Sequence, residues 1–256
     1  MAHHDCTIGI DIGTSSVKAI AFDPHMREIA HAAEEVKSHH DDEGAAEQDP
    51  QAVYQSVMNV LSSAAQDAQR QGFTVERVGL SAAMHSLIPV ADNGAPLGPS
   101  LTWMDLRARE EASKLWQSEE GKALYERTGT PIHPMTPLLK LMRMRKHQPD
   151  IFQKAAKFVS QKEWIWYQWF GEWCVDASIA SATGLYNLRE NTWDSGALEL
   201  AGITAGKLSD IVPTTYVKQG IRERQLLLAG ILPETVFNIG ASDGVLANLG
   251  DRKSVV

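Results

Sequence analysis

The chain has 256 residues, 43% of them hydrophobic and 22% charged, with a formal net charge of -8. That length builds one large domain or two modest ones with real cores, and the composition excludes a disordered, collagen-like or coiled-coil chain. An acidic balance argues against a nucleic-acid surface, which needs a basic patch, but leaves a small anionic ligand open because a local cluster outweighs the global charge. No basic segment leads into an apolar one at the start, and no apolar run is long enough to span a bilayer, so the expectation is a cytoplasmic protein without membrane contact. The two cysteines, Cys6 and Cys174, are expected as reduced thiols.

In chain order, residues 7–12 (TIGIDI) read as a buried strand, Gly13 to Ser16 as a turn, residues 17–22 as a strand returning beside the first, and residues 28–36 as a third. Asp49-Pro50 is a helix-start signal, and Val53, Val57, Val60, Leu61, Ala64 and Ala68 follow at helical spacing up to Gly72. Residues 75–82 and 87–91 read as strands, with a turn at Asn93-Gly94. Helices are expected over residues 106–116, 137–146 and 162–170. The last carries Trp164, Trp166 and Trp169, and large aromatics on a helix favour a core role over a binding platform. Past Gly184 the pattern breaks into short pieces, before a strand over 235–239 and a helix over 242–249. Strands first, then mixed helices and strands, point to an α/β domain with a mixed sheet flanked by helices.

Four segments carry candidate chemistry. In Asp11-Ile12-Gly13-Thr14-Ser15-Ser16-Val17-Lys18, a tight hairpin lets N–H groups and hydroxyls approach phosphate oxygens, and Asp11 is placed to hold Mg²⁺; an ordinary hairpin reads equally well. Met84-His85-Ser86 follows a strand end, where α/β proteins place ligand loops, although a lone histidine is more often a structural hydrogen-bonder. Trp103-Met104-Asp105-Leu106-Arg107 suits a polyol, with a carboxylate for hydroxyls and an aromatic face for carbon; Asp105 as a helix N-cap is the competing reading. Gly240-Ala241-Ser242-Asp243-Gly244 places a carboxylate at a helix start, either as a general base or as a cap.

Together, IGIDIGTSSVKAIAFD, SAAMHSLIPV, LTWMDLRA and IGASDGVLANLG resemble the FGGY carbohydrate kinases, over residues 7 to about 250. MHSLIPVADNGAPL, TGTPIHPMTPLLKL and DASIASATGLYNL resemble the gluconate kinases within that family. Glycerol kinases carry Arg-Glu where Met84-His85 stands, and xylulose kinases usually have Gly where Ser86 stands.

The resemblance implies a ribonuclease-H-like, actin-like ATPase fold and transfer of the ATP γ-phosphate to D-gluconate with Mg²⁺. It makes Asp243 the catalytic base and has Asp11 place the metal and the phosphoryl group. Gly13, Thr14, Ser15 and Lys18 then line the phosphate loop, and Met84, His85, Trp103 and Asp105 the sugar pocket. On charge grounds, Arg107 and Lys162 are the candidates for the substrate carboxylate. It implies a sugar-binding domain over residues 1–240, and the start of an ATP-binding domain over 241–256 with Val255-Val256 opening its first strand. The family's proteins run to about twice this length, so the chain by itself is expected to be inactive. Two alternatives stand beside this: a kinase for xylulose or another polyol, and a non-catalytic sugar-acid-binding module. A homodimer is left open.

Overall fold

The computed structural model describes residues 4–250. A six-stranded mixed sheet organises the molecule. Its strands are β1 (His4–Ile12), β2 (Ser16–Phe22), β3 (Glu28–Glu35), β4 (Phe73–Ala82), β5 (Val217–Lys218) and β6 (Val236–Ser242), in the spatial order β5-β6-β4-β1-β2-β3. The meander β1-β2-β3 is antiparallel, whereas β4 runs parallel to both β1 and β6. Alternation along β1 buries Ile8, Ile10 and Ile12 on one face and leaves Gly9 and Asp11 on the other.

The first helix, α1 (Pro50–Arg70), covers the buried face. Asp49 caps it by accepting from the Gln51 N–H, Pro50 occupies its first turn, and the predicted stripe Val53, Val57, Leu61, Ala64 and Ala68 is buried against the sheet. The sheet core also takes in α2 (Gln161–Phe170), which Ser160 and Glu163 start with a reciprocal capping box. Trp164, Trp166 and Trp169 are all buried there, as expected for a core helix.

Between β4 and β6 the chain builds a second apolar cluster around Leu87, Leu115, Leu138, Leu141 and Phe158. Helices Arg109–Trp116, Glu119–Thr128, Pro137–His147 and Ser195–Ala201 surround it. The sequence pattern missed Glu119–Thr128, whose buried residues are only Gly121, Leu124 and Thr128, too few to write a strong apolar stripe. It also began the preceding helix three residues early. Asp105 does not cap that helix: Ala108 is the N-cap, and the Asp105 carboxylate is taken up elsewhere. Ser242 is the last residue of β6, not the first of the helix that follows (Asp243–Gly250). Residues 241–242 therefore lie within the sheet, and the expected opening of a further domain at Val255-Val256 lies outside the described residues. Cys6 and Cys174 are free and buried, and burial pushes each thiol up to about 11. Among the described residues no helix is long and apolar enough to cross a membrane.

Candidate active site

Three parallel strands end side by side. Asp11 and Ile12 of β1 are level with Ser81 and Ala82 of β4, which are level with Ala241 and Ser242 of β6. The carboxyl edge of such a sheet is where α/β proteins gather ligand groups. Here it collects the segments starting at Asp11, Met84 and Asp243.

Ser81 Oγ donates to Asp11 Oδ1 at 2.9 Å, fixing one carboxylate oxygen and leaving Oδ2 for another partner. Lys18 stands directly across the hairpin from Asp11, so the two side chains share a face. The turn between them closes with Gly13 N–H donating to Ser16 C=O at 3.1 Å, and a side chain at position 13 would put its Cβ 2.8 Å from that same oxygen. A glycine is needed for the loop to bend this tightly. Gln48 Nε2 donates to Thr14 C=O at 2.7 Å, and Trp103 Nε1 donates to Thr14 Oγ1 at 3.0 Å, so the indole is tied to the hairpin although Trp103 is 45% exposed. A narrow cleft runs between these groups, lined by Gly13, Thr14, Ala82, Met84, Ser86 and Trp103.

Asp243 reaches the same edge through a bulge. The register of β6 on β4 shifts between Asn238 and Ala241, where Gly240 has φ +65°. Any Cβ there would sit 1.8 Å from Leu80 C=O. The half-buried Asp243 carboxyl is pushed above its ordinary range, mainly by burial. The Gly244 N–H, donating at 2.7 Å, pulls it down, Asp11 pushes it up and Lys162 pulls it down. A carboxyl whose anion is disfavoured, set beside a second carboxylate, is the environment that tunes an acid toward general-base work.

Behind Asp243 lies a buried network. Lys162 Nζ lies 2.6 Å from Asp176 Oδ2 and donates to Ala241 C=O at 3.2 Å; Asp176 Oδ1 accepts from Ser178 Oγ and from the Ser178 and Ile179 N–H groups; Ser178 Oγ accepts from Ser242 N–H at 2.8 Å. Lys162 is therefore 2% exposed and already paired, which takes it away from a substrate carboxylate. Arg107 is in a similar position. Its guanidinium is bracketed by Asp105 Oδ2 and Glu47 Oε1, each at 2.5 Å, so its charge is already balanced. Asp105 is 2% exposed and also accepts from Ala46 N–H at 3.3 Å, so its carboxylate braces the chain rather than facing the cleft.

His85 adopts φ +67°, a left-handed conformation uncommon for non-glycine residues though histidine enters it more readily than most, and its Nδ1 is buried without a partner. Burial holds its imidazole down to about 4, with the Lys140 charge adding to the effect. Ser81, Gln48, Asp176 and Lys140 were not singled out from the sequence. A lysine inside the apolar run Pro137-Leu138-Leu139-Lys140-Leu141 was the available signal for the last.

No group of three or more potential protein ligands for a metal occurs among the described residues. Asp11 Oδ2 and the compact Gly13–Ser15 turn instead suit a magnesium ion that takes its remaining oxygens from water and phosphate, as that ion commonly does.

The sheet order and the convergence of two carboxylates on its edge define a ribonuclease-H-like, actin-like ATPase domain. Residues 6–250 match the model of the FGGY family of carbohydrate kinases, N-terminal domain. The chain is 41% identical over 243 residues to a gluconokinase of Bacillus subtilis (strain 168), covering 95% of this chain and 47% of that protein. It is 30% identical over 217 residues to an apulose kinase of Pectobacterium atrosepticum, covering 81% and 43%. Among solved structures, a gluconate kinase from Lactobacillus acidophilus superposes with a TM-score of 0.90 at 28% identity, over 95% of this chain and 49% of that one. A xylulose kinase from the same species gives 0.90 at 28%, over 96% and 50%. The chain belongs to the FGGY family of carbohydrate kinases, and it spans about half the length of the curated relatives it matches.

Proposed function

We propose that this chain is the sugar-binding half of a kinase that transfers the γ-phosphate of ATP to D-gluconate, giving 6-phosphogluconate. The observation that carries the reading is the placement of Asp11 and Asp243 on one sheet edge, with Asp243 held above its ordinary range chiefly by burial. Asp243 accepts the proton of the attacking hydroxyl. A base whose affinity for a proton is raised does this better than an ordinary carboxylate. Asp11, steadied by Ser81, would hold Mg²⁺, and the Gly13–Ser15 turn with Lys18 would orient the phosphoryl group. ATP and its metal supply the transferable group and the charge neutralisation. Trp103 covers the carbon skeleton, and the 84–86 loop forms the opposite wall.

Gluconate is favoured over other sugars by the 41% identity to a gluconokinase and by the Met84-His85-Ser86 loop. Arg107 and Lys162, already balanced by acids, act in this reading as braces for the cleft and for β6. ATP as co-substrate places the protein in the cytoplasm. Phosphoryl transfer relies on positioning and on charge clamps from both sides of the γ-phosphate, so residues 1–256 by themselves bind sugar without turnover.

Calorimetric titration of D-gluconate, D-xylulose and glycerol into the chain tests this. Gluconate is expected to bind preferentially, and Trp103→Ala to weaken it tenfold or more. Tighter binding of xylulose overturns the substrate assignment. Rapid ATP-dependent phosphorylation by the chain alone overturns the assignment of it as half of the catalytic clamp.

A further inference from the structure

Lys140 is a buried lysine outside the groups assigned above. Its side chain is 2% exposed, and its ammonium donates to three main-chain carbonyls: His85 at 2.6 Å, Thr102 at 2.7 Å and Leu101 at 3.3 Å. An ammonium has three donors, so its capacity is filled. The three acceptors come from two different walls of the cleft. His85 belongs to the loop after β4, and Leu101 and Thr102 directly precede Trp103, the aromatic lid tied to Thr14.

A lysine spent this way is unusual. Burying an ammonium is costly, and a well-paired carboxylate is the ordinary compensation. Lys140 instead bonds main-chain carbonyls, on a helix (Pro137–His147) whose neighbouring positions Leu138, Leu139 and Leu141 are apolar and buried. The backbone bridge between Leu87 and Leu101 already joins the two segments at one point, and Lys140 adds the His85 and Thr102 carbonyls to that junction. One of its acceptors belongs to His85, which has the left-handed backbone conformation, so the bond falls on a strained stretch of the loop. Burial holds the ammonium down to about 7, with Asp105 drawing it back up and Arg107 pushing it further down.

We infer that Lys140 is a positioning residue that cross-links the 84–86 loop to the 101–103 segment and thereby sets the width of the sugar cleft. It does not touch substrate; it acts through the His85 and Thr102 carbonyls. Its effect on ligand affinity rests on the sugar-kinase reading above, whereas its effect on the two loops does not.

The test uses this chain, comparing wild type with Lys140→Met, which keeps the stem and removes the donors, and with Lys140→Gln, which keeps a shorter neutral donor. Hydrogen exchange is read over residues 83–87 and 101–106, with residues 73–80 of β4 as the internal reference, and D-gluconate is titrated calorimetrically. In folded Lys140→Met both cleft segments are expected to exchange at least tenfold faster, with β4 within twofold of wild type, and the gluconate dissociation constant is expected to rise tenfold or more. Lys140→Gln is expected to fall between, and it serves alone if the Met variant does not fold. Wild-type exchange in both segments, equal loosening of cleft and β4, or unchanged gluconate affinity in a folded variant overturns the inference. If wild type binds no gluconate, the substrate reading fails on its own, and selective loosening of the two segments together still sustains the cross-link.

Discussion

Lys162 and Asp176 form an ion pair at 2.6 Å in which neither side chain is more than 2% exposed, and both ends of the pair reach β6 just before Asp243. Lys162 does so through Ala241 C=O, and Asp176 through Ser178 and the Ser242 N–H. Breaking one side of a buried pair leaves an uncompensated charge, which costs about 3–5 kcal/mol. Lys162→Met is therefore expected to lower unfolding free energy by that order in urea titration. Lys162→Met combined with Asp176→Asn should recover part of it, because asparagine keeps the cap on the helix start without the charge. Equal losses in the single and double variants would show that the pair contributes packing alone.

Asp243 shows the opposite sign. An acid whose folded pKa lies above its unfolded value binds more protons when folded, so its contribution to stability declines as pH rises through that range and is a net cost at pH 7. Asp243→Asn, close in shape and neutral, is expected to stabilise the chain at pH 7 by on the order of 1 kcal/mol, within the range single stabilising substitutions commonly give. The gain should shrink as pH falls from the raised folded value toward the ordinary carboxylate value near 3.8, and be absent below it. A variant less stable than wild type at pH 7 would mean that Asp243 is held as a structural cap.

Much of this was readable from residue order alone. The β1-β2-β3 meander, α1 with its Asp49-Pro50 start, and the tryptophan helix all follow from strict periodicity joined to strong punctuation. Asp11, Thr14, Trp103 and Asp243 stood out in the sequence because each sits at or near an element end where the pattern breaks. What sequence could not supply was partnership. Arg107 and Lys162 looked like cations available to a substrate, but their burial is a property of the fold, and although Asp105 is two positions from Arg107, the other acids that balance them, Glu47 and Asp176, lie 60 and 14 positions away. Lys140 was overlooked for the reverse reason: its acceptors are main-chain carbonyls, which carry no residue signature.

Gly240 makes the bulge that brings Asp243 to the sheet edge. A methyl group there would overlap Leu80 C=O and would also have to accept φ +65°. Left-handed strain alone costs about 1–3 kcal/mol, and here a backbone overlap is added to it. Gly240→Ala is expected to destabilise by roughly 3 kcal/mol or more and to speed hydrogen exchange at 239–243 beyond any change in β1. A loss under about 1 kcal/mol would show that the bulge relaxes without effort.

His85 predicts how the chain meets acid. Its imidazole is held down to about 4, first by burial, then by the Lys140 charge and by His133, while an unfolded histidine titrates near 6.5. Between those values the unfolded chain takes up a proton that the folded chain refuses. The stability His85 contributes is therefore intact above about pH 6.5 and is lost progressively as pH falls toward 4, amounting to on the order of 2 kcal/mol by pH 5. His85→Asn is the matched control, since asparagine also tolerates a positive φ. Urea unfolding at pH 7 and pH 5 is expected to show a smaller loss in the variant than in wild type, the difference between the two losses isolating His85 from the carboxylates that titrate in both. Equal losses would mean that the ring is protonated in the folded chain, and that the Lys140 ammonium beneath it is already neutral or has moved away.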